Sequence, residues 1–180
     1  MLRFPKVVTA VVGISIGIAV CGYQNLQLNS DLKKQKQITI MYRQYAREFP
    51  QVKGITAAEL KSLQQQGEKV VLVDVRSPEE IAVSHISGSI TAEEFESNLM
   101  QNSGQYRGRK IVAYCTIGYR SGLYAQKLQN RIEILNLEGS LLAWSHAAGN
   151  LLDARGNSTN KVHVFGRQWQ LTSEAYEPIW

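Results

Sequence analysis

The chain reads as an α/β protein: one mainly parallel central sheet with helices on both faces, preceded by one apolar N-terminal helix. Three observations carry that reading. Short apolar, β-branched-rich runs recur at Val70 to Val75, Ile111 to Tyr114 and Ile132 to Leu137, the length and composition of strands covered on both faces. Between them stand helix-start signals: Thr56-Ala57-Ala58-Glu59, Ser77-Pro78-Glu79-Glu80 and Thr91-Ala92-Glu93-Glu94 each place a Glu three residues after a hydroxyl, as capping boxes do. Strands that alternate with helices need crossover connections, and crossovers produce parallel pairing.

The elements follow in order. Arg3 and Lys6 precede an uncharged run, Val7 to Val20, in which only Thr9 and Ser15 are polar. Carried on to Tyr23, this run would span roughly 26 Å as a helix, against a hydrocarbon core about 30 Å thick. Residues 1–23 are therefore expected to be a signal-anchor at the short limit of a spanning helix, touching the membrane through residues 7–23. Two other readings fit the same residues. A cleaved signal peptide with Ala19-Val20-Cys21-Gly22 at the cut would leave a secreted or periplasmic chain. A lipoprotein signal would end at Cys21, with the bulky Val20 a poor fit before it. Arg3 and Lys6 favour a cytoplasmic N-terminus, whereas Lys33, Lys34 and Lys36 oppose it from the other flank, so the side of the membrane stays open.

Residues 24–50 are expected as a polar linker, Gln24 to Lys36, and an amphipathic helix whose stripe is Ile38, Met41, Tyr42, Tyr45 and Phe49; Pro50 stops it. The domain proper covers residues 51–152. Its first helix is stapled by Ile55 and Leu60 and ends at Gly67; Pro78 sits at the first position of the second. A Gly-containing loop joins the Ile111 to Tyr114 strand to a helix over Ser121 to Gln129, and Glu138-Gly139 ends the last strand. Residues 153–180 form a C-terminal extension packing on the domain. In it Val162 to Leu171 alternates like a strand or short hairpin, and Tyr176 and Trp180 serve as apolar cover.

Composition narrows the functions. A chain of 180 residues, 44% hydrophobic and 19% charged, holds one ordered domain and an appendage. The net charge of +5 comes from scattered residues without the basic, aromatic-interleaved patch of a nucleic-acid binder, so no nucleic-acid partner is expected. Cys21 and Cys115 do not make a disulfide framework. His85, His146 and His163 stand apart, without metal-ligand spacing, and no metal or cofactor is expected. No phosphate-cradling Gly-rich loop follows a strand.

The chemistry concentrates at Cys115. It closes a central strand, where open α/β sheets place their ligands, and Thr116, Ile117 and Gly118 lead into a helix that begins around Tyr119 to Ser121. Such a turn aims backbone N–H groups and the positive helix end at the sulfur. Arg120 adds positive charge, Gly118 permits a positive φ, and Ser121 can cap the helix or donate to an anion. These features lower a thiol pKa. A solitary Cys is more often inert core; a Cys opening a Cys-x-x-Gly-x-Arg-Ser turn is placed for chemistry.

The stretch Val71-Leu72-Val73-Asp74-Val75-Arg76 with Glu79 and Glu80, then His85-Ile86-Ser87-Gly88-Ser89-Ile90, resembles the opening of rhodanese domains. Cys115 to Ser121 resembles that family's C-x-x-G-x-R-S loop, and Leu137-Glu138-Gly139-Ser140 with Ala143-Trp144 its closing segment. Ser84, Ser87 and Ser140 depart from the usual Gly, Pro and Gly. The resemblance implies a rhodanese-like fold and a sulfurtransferase. Cys115 would take a sulfane sulfur from a small donor such as thiosulfate, become a persulfide, and pass the sulfur to a thiol or cyanide. It implies substrate binding by Thr116, Ile117, Gly118, Tyr119, Arg120 and Ser121, with Asp74, Arg76 and His85 in structural support. Thr116 stands where the family sets its donor preference, and a Thr there leaves the donor open.

Two rivals remain. Cys-dependent phosphatases on the same fold carry a C-x5-R loop, but Cys115 to Arg120 is one residue shorter, too tight for a tetrahedral phosphate. A non-catalytic docking module at a membrane would have no need of the Cys115 and Arg120 pair, although the linker and tail could serve docking.

Overall fold

The computed structural model describes the backbone of residues 8–180 and the side chains from Gln24 onward, Asn25 and Ser103 apart. Along the chain run α1 (Val8–Tyr45), β1 (Gly54–Ile55), α2 (Ala57–Gln65), β2 (Val70–Asp74), α3 (Pro78–Val83), β3 (His85–Ile86), β4 (Ile90–Thr91), α4 (Ala92–Gln101), β5 (Lys110–Tyr114), α5 (Tyr119–Leu128), β6 (Leu135–Leu137), α6 (Ser140–His146), β7 (Leu151–Leu152), β8 (Ser158–Thr159), β9 (Lys161–His163) and β10 (Glu177–Ile179).

Strands β1, β6, β5, β2 and β4 form one sheet in that order, and every pairing in it is parallel. Alternate residues of a strand face opposite ways, and both faces are covered. Leu72, Val112, Tyr114 and Leu137 enter one core with Leu60, Leu141, Leu142 and Trp144 of α2 and α6. Val71, Val73, Ile111 and Ala113 enter the other with Phe95, Leu99, Ala125 and Leu128 of α4 and α5. The α/β class, the parallel sheet and the two helical layers are those expected. Complete capping boxes open α2 at Thr56 and α3 at Ser77. At Thr91, itself the last residue of β4, the hydroxyl accepts the Glu94 N–H without the reciprocal bond.

Three expectations are corrected and a fourth is narrowed. The stretch Gln24 to Lys36 is not a linker but part of α1, which is continuous to Tyr45. It contains no Gly or Pro to interrupt a helix, and the C-terminal extension supplies polar partners. Lys34 donates to the Thr172 carbonyl and pairs with Glu174, while Asp31 accepts from the Ser173 hydroxyl and the Glu174 N–H. The strand expected from Ile132 is confined to Leu135–Leu137, because the N–H groups of Arg131 and Ile132 bond back to Leu128 at the end of α5. Of the strand or short hairpin expected over Val162 to Leu171, the strand is present at its start as β9 and no hairpin follows: Gly166 at φ 138 redirects the chain, which returns so that β10 pairs with β9 in parallel. Trp180 is exposed rather than covering the domain. Tyr176 does lie against it, donating its hydroxyl to the Gly149 carbonyl.

The membrane segment expected over residues 7–23 lies outside the residues whose side chains are described. Among the described residues, no helix is long and apolar enough to cross a membrane.

Candidate active site

Cys115 follows the last residue of β5, between neighbours β2 and β6, and is buried. The turn after it is set by Gly118 at φ 99, the cap of α5. That conformation suits glycine, and the Tyr42 ring of α1 would lie 2.8 Å from any Cβ there. The folded-back turn brings the Gly118 N–H to 3.2 Å from the Cys115 Sγ and the Ser121 hydroxyl to 3.6 Å. Burial pushes the thiol pKa up, but the Ser121 N–H, the Arg120 charge and the Gly118 N–H outweigh it, and the thiol is held below its ordinary value. Donors and a cation directed at a buried sulfur stabilise its anion.

Two buried residues hold the loop from behind. Asn136 of β6 donates from Nδ2 to the Gly118 carbonyl at 2.8 Å and accepts the Ser121 hydroxyl on Oδ1 at 2.7 Å. Ser140, with φ 46, accepts the Cys115 N–H on its Oγ at 3.0 Å and donates to the Leu137 carbonyl. The next N–H groups of α6, those of Leu141 and Leu142, donate to the carbonyls of Cys115 and Thr116. The Cys115 N–H and the carbonyls of Cys115, Thr116 and Gly118 are thereby satisfied without water, as buried backbone groups require.

A cleft of ≈ 420 Å³ opens over the sulfur, lined by Tyr45, Glu48, Thr116, Ile117, Tyr119, Arg120, Phe165 and Trp169 together with Cys115. Arg120 is not a free cation: Nη1 and Nη2 each donate to a Glu80 carboxylate oxygen at 2.7 Å. Burial raises the Glu80 pKa, but the Arg120 hydrogen bonds, the Ser77 N–H and the charges of Arg120 and Arg76 prevail, and the carboxyl titrates below its usual range. The Phe165 ring covers the guanidinium, with Cζ 4.7 Å from the ring centroid. Tyr119 donates its hydroxyl to Glu48 at 3.0 Å and packs on Tyr45, centroids 5.1 Å apart.

The model of the rhodanese-like domain family matches residues 56–147, about half of the chain. The chain belongs to the rhodanese-like family. It is 41% identical over 91 residues to an uncharacterized protein of Synechocystis sp., a match covering 48% of this chain and 50% of that one. It is 35% identical over 98 residues to the probable adenylyltransferase/sulfurtransferase MoeZ of Mycobacterium tuberculosis, covering 51% of this chain but 24% of MoeZ. The chain thus spans half or less of the curated relatives it matches. The thiosulfate sulfurtransferase of Pseudomonas aeruginosa superposes with a TM-score of 0.53 at 19% identity, over 67% of this chain and 23% of that enzyme, a likeness of fold.

Within this rhodanese-like domain the expected site residues fall into four groups. Thr116, Ile117, Tyr119 and Arg120 line the cleft, whereas Gly118 and Ser121 lie behind the sulfur and donate to it through their N–H groups. Asp74 and Arg76 form a buried pair at 2.6 Å, and Arg76 also donates to the Ser84 and Glu80 carbonyls, tying α3 to β2. His85 is outside the cleft: it sits in β3, paired with Leu152, and its Nδ1 makes no hydrogen bond. Sequence reasoning missed Glu80, Asn136, Tyr45, Glu48, Phe165 and Trp169 as site residues. Asn136 carried a usable signal, a polar side chain inside the apolar run Leu135–Leu137. Glu80 was hidden by its capping role.

Proposed function

We propose that the chain is a sulfurtransferase that moves a sulfane sulfur from a small donor to a thiol or cyanide through a persulfide on Cys115. One observation carries this reading: the buried Cys115 sulfur, held by the Gly118 and Ser121 N–H groups with its pKa lowered, at the foot of a cleft of small-molecule size. The thiolate attacks the outer sulfur of the donor, and the donor's remainder departs with the electron pair. The second nucleophile then attacks the outer sulfur of the persulfide and restores the thiolate. The donors that hold the Cys115 thiolate are placed to hold the persulfide anion as well.

The test uses the full chain: thiocyanate formation from cyanide and a panel of sulfur donors, with intact mass spectrometry on the same samples. The expected result is turnover and a mass gain of one sulfur atom, both lost in Cys115→Ser. No turnover and no adduct with any donor would overturn the reading.

The apolar run over residues 7–23 supports attachment to a membrane by the N-terminus as a further part of the proposal. Recovery of the chain in the soluble fraction after gentle lysis would count against it.

A further inference from the structure

The cleft above Cys115 is unusual in what it offers an incoming donor. Four aromatic rings, Tyr45, Tyr119, Phe165 and Trp169, surround its mouth. They come from α1, from the start of α5 and from the C-terminal extension, well beyond the strands that position the sulfur. Phe165 is 51% exposed, so it contributes little to the core; a large apolar side chain left in water at the rim of a site is available for a ligand.

The charges point the same way. Among the described residues, the charged side chains that line the cleft are Glu48 and Arg120. Arg120 is matched by Glu80 through two hydrogen bonds and covered by Phe165, so the lining carries the uncompensated charge of Glu48. A donor such as thiosulfate, with two negative charges, would meet a neutralised cation and a like charge. An uncharged apolar group would meet rings.

We propose that the sulfur donor of this site is an organic persulfide, R–S–S–H, whose uncharged apolar or aromatic R group lies among Tyr45, Tyr119, Phe165 and Trp169. This deepens the sulfurtransferase reading and depends on it. The Cys115 thiolate attacks the outer sulfur, which keeps its proton. A new S–S bond to Cys115 forms as the donor's S–S bond breaks, and the electron pair leaves with R–S⁻. The Cys115 sulfur is oxidised while the inner donor sulfur is reduced to a thiolate, and no other oxidant takes part.

The experiment measures second-order rate constants for sulfur loading of the full chain by quenched-flow and intact mass spectrometry. The donors are benzyl persulfide released in situ from a protected precursor, glutathione persulfide and thiosulfate, each rate divided by that donor's rate with a small free thiol. The normalised constant for benzyl persulfide is expected to exceed those of both charged donors by roughly tenfold or more, as apolar pocket contacts discriminate. Phe165→Ala and Trp169→Ala should each cut that preference by about fivefold or more. Phe165→Ala retains the fold, since half of that side chain is in solvent. Equal or faster loading by the charged donors, or a preference unmoved by both substitutions, overturns the proposal. Loading of Cys115 by none of the donors is a different result: it removes the sulfurtransferase reading itself, and this proposal with it.

Discussion

The Ser140 hydroxyl lies 3.0 Å from the backbone nitrogen of Cys115 and accepts its N–H, 25 residues away in sequence. It also donates to the Leu137 carbonyl, so one side chain joins the end of β5 to the end of β6. Removing it strands a buried N–H, which costs about 1–3 kcal/mol. Ser140 also sits at φ 46, a region where a side chain is strained and glycine is not. Ser140→Ala is therefore expected to lose the full amount. Ser140→Gly should lose about 1 kcal/mol less, because the strain is relieved. Urea unfolding of both variants checks the order; equal stability of the two would refute it.

The Cys115 thiol is held below its ordinary value of 9.0. The thiolate is therefore present at lower pH than in a free cysteine, and the iodoacetamide alkylation rate should reach its half-maximum below that value. Arg120→Gln removes the positive charge beside the sulfur and should move the midpoint upward. A midpoint at or above the free-thiol value in the parent chain would show that burial wins.

Glu80 contributes a pH dependence of definite sign. Its folded-state pKa lies below the ordinary value of 4.5, so between the two values the unfolded chain binds more protons and stability rises with pH. The contribution is complete above the ordinary carboxylate range and is lost as pH falls through the lowered value. Glu80→Gln should flatten this part of the acid limb in chemical unfolding measured across pH. An unchanged slope would mean that the pair with Arg120 does not persist in solution.

Tyr42 of α1 is 7% exposed and packs against Gly118. Tyr42→Ala opens a cavity behind the loop and is expected to cost about 3–5 kcal/mol, the range for truncating a buried aromatic. Tyr42→Phe loses only a 3.4 Å hydrogen bond from Asn136 and should cost under about 1 kcal/mol. Thermal unfolding and cyanide-coupled turnover of both variants separate packing from the hydroxyl.

What could be read from the sequence was local. The capping boxes at Thr56 and Ser77, the β2 and β5 runs and the Cys115 to Ser121 turn are each specified within a few neighbouring residues. What escaped was set by distance along the chain. Glu80 reaches Arg120 across 40 residues, and Phe165 and Trp169 arrive from an extension whose return path through β10 has no periodicity to announce it. The stretch Gln24 to Lys36 looked like a linker because its partners, Thr172 to Glu174, lie at the other end of the chain. Polar residues alone do not distinguish a solvated coil from a helix clamped by a remote segment.

Because α1 runs unbroken from the Gln24 to Lys36 stretch into the buried Ile38 and Tyr42, it acts as a shaft keyed to the rhodanese-like domain. A coil of the same length would let the domain swivel. A helix fixes angular phase: each added residue turns whatever precedes it by about 100° relative to the cleft mouth. One residue inserted near Gln24 would face the cleft in a new direction, and seven would bring it nearly back.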